Sequence, residues 1–291
     1  MFHSVAELLQ LAEERQMKIS RIMLEREMKI REKTEDEIMQ MMEANLTVME
    51  QAIEKGLKGV VSHSGLTGGD AVLLQRYIAG GHSLAGPLIL DAVSKAIATN
   101  EVNAAMGIIC ANPTAGAAGV VPGTLFAVKE KLKPTRKQMA EFLFTAGAFG
   151  FVIANNAFIS GAAGGCQAEV GSATGMAAAA VVEMAGGTPR QSAEAMAIAL
   201  KNTLGLVCDP VAGLVEVPCV KRNGVGASAA VVAADMALAG IKSRIPPDEV
   251  IQAMYEVGRS MPSSLRETAE GGLANTPTGR QLEAMVLGES Q

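Results

Sequence analysis

The sequence predicts an all-α protein: a Gly/Ala-rich helical domain with buried central helices, preceded by an amphipathic helical segment. Three observations predict it. Helix-start signals recur along the chain, long alanine-dominated runs such as Met176–Glu183 and Ala193–Leu200 lie between them, and the alternating pattern of strands is scarce. No internal repeat is evident.

The first sixty residues hold 21 of the 55 charged side chains and read as two or three amphipathic helices. Ser4 with Glu7 and Thr34 with Glu37 each fit a capping box, in which hydroxyl and carboxylate satisfy the first free amides reciprocally. Apolar residues follow at helical spacing: Leu8, Leu9 and Ala12, then Ile38, Met41 and Met42. The many methionines here read as gap-filling core in preference to a partner groove. From residue 61 the chain turns Gly/Ala-rich and sparsely charged. Further helix starts fall near Asp70, at Thr135 with Gln138, at Thr188 with Pro189 and Gln191, and at Pro246–Glu249. The expected organisation is a charged segment, 1–60, packed on a chemistry-bearing domain, 61–291, or one continuous domain, because no linker is apparent.

Composition narrows the function. The net charge is −5, there is no basic cluster, and aromatic residues are few, with no Trp, two Tyr and seven Phe. Phosphate contacts and base stacking are thereby disfavoured, so no nucleic acid partner is expected. The stretches 102–128 and 142–168 carry no charge and are long enough to span a bilayer. They are rich in Gly, Ala, Asn, Thr and Pro, without an aromatic belt, so helix packing in a soluble bundle is expected and a membrane is not. The acidic, amphipathic start MFHSVAELLQLAEERQ has no basic region or signal-type apolar run. A cytoplasmic chain with reduced thiols is expected.

Three of the four cysteines stand out: Cys166 in GGCQAEVG, Cys208 in GLVCDPVAG and Cys219 in EVPCVKRNG. Glycine beside a cysteine lets backbone approach a bulky group, and proline beside one fixes the direction of the thiolate. Three thiolates without a fourth partner suit a cubane cluster with one open iron. The spacings, 42 and 11 residues, follow no CxxC rule, so free buried thiols remain an alternative. Zinc would need a fourth ligand such as His63. Cys110, preceded by apolar residues, reads as structural.

Three other segments bear on chemistry. In SHSGLTGGD, His63 is the best placed of three histidines for proton transfer, and Ser64, Thr67 and the glycine turn suit a small carboxylate. The same segment also reads as a capped turn into the helix at Asp70. Asn112 and Thr114 in ANPTAGAAG belong to a polar turn that matches no nucleotide-binding pattern; it lines a site or merely punctuates helices. After Cys219, Arg222 can clamp a carboxylate and Lys221 is a second candidate base if burial lowers its pKa; a solvated surface pair is the alternative.

Taken together, NLTVMEQAIEKGLKGV, SGLTGGDAVLLQRYI, LDAVSKAIATNEVNAAMG, CANPTAGAAGVVPGTL, GAAGGCQAEVGSA, CDPVAGLVEVPCVKRN and ETAEGGLANTPTGR resemble the alpha subunit of bacterial iron–sulfur-dependent L-serine dehydratases across the whole chain. The resemblance implies a [4Fe–4S] cluster on Cys166, Cys208 and Cys219. It implies an L-serine substrate, a separate L-serine dehydratase beta subunit and hence a hetero-oligomer. The implied chemistry is Lewis-acid activation of the serine hydroxyl, loss of the α-proton to a base, His63 or Lys221, and release of pyruvate and ammonia. Ser64, Thr67, Asn112, Thr114 and Arg222 are the expected substrate contacts. Fused members of the family can place a C-terminal cysteine on the open iron; here no cysteine follows Cys219, so that device is not expected. No segment resembles the lysine motif of pyridoxal-phosphate enzymes; Ser94-Lys95 is poor support for one. Two other readings are a related lyase acting on another β-substituted amino acid, such as cysteine, and a non-catalytic helical subunit with inert thiols.

Overall fold

The computed structural model describes residues 2–288 of the 291-residue chain and contains thirteen α-helices and no strand among them. Helices α1 (Val5–Glu14) and α2 (Ile19–Arg31) start the chain. The Ser4 hydroxyl accepts from Glu7 N–H as the capping-box reading requires, but Glu7 reaches back to the amide of His3, one residue earlier than expected. A distant residue completes this cap: Asp248 accepts from the amides of Val5 at 2.7 Å and Ala6 at 2.9 Å. Helix α2 has no local side-chain cap. Its first amides are met by the buried Glu183 carboxylate, which accepts from Ile19 N–H at 2.8 Å and from the Thr145 hydroxyl at 2.7 Å. An anion is favoured at a helix N-terminus, and buried amides need such a partner.

Helix α3 (Glu35–Leu57) begins at the Thr34/Glu37 capping box. Helix α4 (Asp70–Ala79) follows the glycine turn, and α5 (Pro87–Ala104) starts on a proline. Helices α6 (Val120–Leu132) and α7 (Arg136–Asn156) come next, the latter capped by Thr135 and Gln138. The short α8 (Gly161–Gly164) precedes Cys166 and a π-helical turn, Gln167–Gly171, that runs into α9 (Ser172–Met184). Helix α10 (Pro189–Lys201) has its Thr188/Gln191 box, and α11 (Cys219–Leu238), α12 (Pro247–Ser260) and α13 (Pro277–Leu287) complete the described chain.

Helix α9 is the centre: every residue from Ser172 to Glu183 is buried, and it packs against α6, α7, α10 and α11. Its alanines let these helices approach closely. The same device operates at α3 against α5, where a Cβ on Gly56 would run into the backbone of Ala98. One apolar cluster joins α3, α5, α6, α9 and α11. A second seats α1 and α2 on α7, α9, α10 and α12 through Phe2, Leu8, Ile19, Phe149 and Ile251. Among the described residues, no helix is long and apolar enough to cross a membrane. The charge-free run 102–128 is broken by a polar turn, and 142–168 is broken after Asn156. Residues 289–291 lie outside the described residues.

Candidate active site

The three singled-out cysteines come from three separate segments, and all three are buried inside the protein. Cys166 precedes the π turn, Cys208 lies in the stretch after α10, and Cys219 is the first residue of α11. They are 3%, 4% and 8% exposed, respectively. Each segment is pinned. Gln167 donates its side-chain amide to Met254 O at 3.0 Å, accepts from Gly205 N–H at 2.9 Å, and bonds Leu206 O through its own N–H at 3.0 Å. Cys208 is held on both sides: its N–H donates to Leu265 O at 2.8 Å and its carbonyl accepts from Glu267 N–H at 2.7 Å. Asn223, one turn into α11, donates to Gly116 O and Cys219 O and accepts from Gly119 N–H, fastening the 112–119 turn beside Cys219.

Burial pushes the Cys166 thiol up to about 11 and the Cys219 thiol up to about 12, and raises Cys208 as well. Charge on Cys166 disfavours ionisation of both other thiols, and Cys219 does the same to Cys208. Arg222 works in the opposite direction, lowering Cys166 and Cys219. With no metal the three are neutral thiols at pH 7; ligation would hold them as thiolates.

Two carboxylates join them. Glu169, in the π turn, accepts from the Thr114 hydroxyl at 2.6 Å and is raised in pKa, chiefly by burial. One oxygen each of Glu169 and Glu267 and the Cys208 sulfur lie within 4.8 Å of one another. The packing leaves room at this point through glycine. A Cβ on Gly161 would sit 2.6 Å from Cys208 Sγ and 2.7 Å from Glu169 Oε2. Gly165, with φ +77°, turns the chain immediately before Cys166 in a conformation that side chains disfavour. Three buried thiols of diverse chain origin, no fourth thiol beside them and glycine-lined clearance fit a metal group held by three protein ligands. Cys110 is half-buried against the carbonyl of Asn45, and burial raises its thiol.

The remaining expected site residues divide. Ser64 on the 62–69 turn donates to Glu216 at 2.7 Å, and Glu216 is buried between Cys208 and Cys219 in sequence, so this turn docks on the cysteine-bearing segment. Thr67 is buried and its hydroxyl has no partner, while His63 is exposed on the same turn. Asn112 donates to Cys110 O, and Thr114 is the residue of its turn that reaches the cysteine cavity, through Glu169. Arg222 is not a solvated surface group: it donates to Val207 O at 2.7 Å and pairs with Asp209 at 2.9 Å. Lys221 departs from the expectation attached to it. Its side chain is 55% exposed and ion-paired with Asp70, so it is not the buried lysine that the expectation required. It sits on the solvent face of α11 because the adjacent Val220 takes the core position.

Sequence reasoning missed Glu169 and Glu267. A signal existed for the first: Glu169 is the only charged residue between Glu141 and Glu183. A lone charge within so apolar a run is seldom buried without a partner.

Residues 14–274 match the family model described as serine dehydratase alpha chain. The chain is 73% identical over 288 residues to the probable L-serine dehydratase, alpha chain, of Bacillus subtilis (strain 168), covering 99% of this chain and 96% of that protein. It is 43% identical to the L-serine dehydratase, alpha chain, of Peptoniphilus asaccharolyticus, covering 99% of each. Against the L-serine dehydratase TdcG of Escherichia coli (strain K12) it is 37% identical over 94% of this chain but only 61% of that protein.

Proposed function

This chain belongs to the serine dehydratase alpha chain family, and from that premise we propose that it is the catalytic chain of an L-serine ammonia-lyase, converting L-serine to pyruvate and ammonia. The observation that carries the reading is the burial of Cys166, Cys208 and Cys219 on three hydrogen-bonded segments, with Gly161 packed directly against Cys208. Their donor set favours a [4Fe–4S] cluster with one iron free of protein thiolate. When bound, the cluster supplies a Lewis-acidic iron that makes the serine hydroxyl a better leaving group.

The chain's own groups do the rest. Cys166, Cys208 and Cys219 would hold the metal group on three separately anchored segments. Arg222, whose guanidinium acts electrostatically on two of the thiols, offsets their charge. His63, on the exposed side of the 62–69 turn, is the group we assign to accept the α-proton at an imidazole nitrogen. The Ser64–Glu216 bond holds that turn against the cysteine-bearing segment. Thr67, with a buried and unpartnered hydroxyl, and Asn112 are assigned to substrate contact, and Thr114 acts through Glu169. Lys221, paired to Asp70, is left as a weaker candidate base.

A beta chain is the expected partner, in a cytoplasmic hetero-oligomer. The likeness to relatives named alpha chain supports the beta-chain reading. The residues 1–60 and 61–291 are read as one unit in this assembly. A second metal reading rests on the Glu169–Cys208–Glu267 set, whose donors suit a single ion.

The test is pyruvate formation from L-serine by anaerobically purified protein with its beta partner, with L-cysteine in competition. Turnover of serine that Cys166→Ser abolishes supports the reading. Full iron content with no serine turnover overturns it.

A further inference from the structure

Glu169 is a buried carboxylate for which metal ligation by three cysteines leaves no role. It is 8% exposed, accepts one hydroxyl hydrogen bond from Thr114, and has Glu267 as its charged neighbour. Among the described residues no lysine, arginine or histidine forms a salt bridge with it. The cavity's guanidinium, Arg222, is engaged by Asp209 and Val207 O. Two glycines whose φ is not positive flank the carboxylate. A Cβ on Gly116 would lie 3.0 Å from Oε1 and one on Gly161 2.7 Å from Oε2. Backbone conformation does not require glycine at either position, so clearance around the carboxylate does.

The charges therefore do not balance. Three thiolates already match or exceed the charge of a cubane they would hold, and the buried Glu169 carboxyl, with the less buried Glu267 near it, lies beside Cys208. Burial favours the neutral form of Glu169, so the partner that would hold it ionised must be cationic, small and a hydrogen-bond donor. Neither the carboxylate nor the hydroxyl of an amino acid meets that description; its α-ammonium does.

Resting on the lyase reading above, we infer that Glu169, with Glu267 beside it, receives the α-ammonium of the substrate and so selects amino acids over acids that lack the amino group. The Thr114 hydroxyl fixes the carboxylate, which makes Thr114 a positioning residue. The pairing also places the substrate with its ammonium at the carboxylates and its hydroxyl free to turn toward the thiol-held metal.

The experiment compares L-serine with 3-hydroxypropionate, which keeps the carboxylate and hydroxyl but lacks the amino group, on the complete alpha–beta enzyme. Glu169→Gln preserves shape and removes charge. A hydrogen bond between charged partners predicts a KM for serine about 10- to 100-fold higher in this variant, with inhibition by 3-hydroxypropionate changed less than about twofold. Iron per chain stays at the wild-type value. Gly116→Ala, which crowds the carboxylate and leaves its charge, raises the serine KM in the same direction by less. An unchanged serine KM, an equal loss for both ligands, or loss of iron from Glu169→Gln overturns the inference; the last would make Glu169 a metal ligand. Iron-replete wild-type enzyme without turnover refutes the lyase reading alone. Equilibrium binding then decides the pairing, which requires that serine bind more tightly than 3-hydroxypropionate and that Glu169→Gln erase the difference.

Discussion

A Gly161→Ala substitution adds one methyl group between Cys208 and Glu169. Gly161 does not have a positive φ, so alanine is allowed by the backbone and the perturbation is steric. The new Cβ would lie 2.6 Å from Cys208 Sγ and 3.2 Å from Cys208 Cβ, where ordinary contact begins near 3.4 Å. The sulfur must retreat by most of an ångström, yet its backbone is bonded on both sides to Leu265 and Glu267. Overpacking of this kind costs about 1–3 kcal/mol. For a chain of this size that is a fall of roughly 2–10 °C in Tm. The larger effect is on the metal, because ligand distances tolerate only about 0.2 Å of error. Iron and acid-labile sulfide per chain, measured beside a thermal melt, should fall several-fold while the helical circular dichroism is kept. Gly147→Ala is the control: its Cβ meets only Met23 Cε, at 4.0 Å, inside α7. There alanine should stabilise by about 0.5–1 kcal/mol and leave iron unchanged. Full iron content and an unchanged Tm in Gly161→Ala would refute the placement of the metal group in this cavity.

Other expectations follow from the same structure. Cys166→Ser, Cys208→Ser and Cys219→Ser should each lose most of the bound iron, whereas Cys110→Ser, at the half-buried thiol facing Asn45, should retain it by iron assay. The metal-free protein should lose stability as pH rises past about 9, since the unfolded thiols ionise there and the buried ones do not. Raising Cys166 from 9.0 to about 11 corresponds to about 2–3 kcal/mol lost by pH 11, read by denaturant titration between pH 8 and 10.5 for onset. A constant stability across that range would contradict burial of the neutral thiols. Asp248→Ala removes the acceptor for Val5 and Ala6 at the start of α1, and should cost about 1–2 kcal/mol in a thermal melt without affecting iron.

The helices were legible because their ends are local. Thr34, Thr135 and Thr188 each meet a Glu or Gln three residues on, and one short segment contains both halves of the signal. Asp248 at α1 and Glu183 at α2 serve the same purpose from 243 and 164 residues away, respectively, and nothing in the local sequence announces them. The site divides in the same way. Glycine and proline beside Cys166, Cys208 and Cys219 marked them as unusual, while their placement depends on Gln167, Asn223 and the Cys208–Arg266 bridge, which are long-range. Thr114 was legible as part of a polar turn, but its partner Glu169 was not, since the two meet only across 55 residues of chain. Lys221 follows the solvated alternative read for it: a lysine two residues after a buried cysteine projects to solvent, because successive helix positions face different sides.

The central claim, that three thiols hold a cubane cluster, is tested most directly by iron and acid-labile sulfide per chain after strictly anaerobic purification with the beta partner. The account predicts about four of each, the content of one cubane. About one iron without sulfide would point instead to a single ion at Glu169, Cys208 and Glu267, and no iron at all would return the three cysteines to the core; either result contradicts the claim.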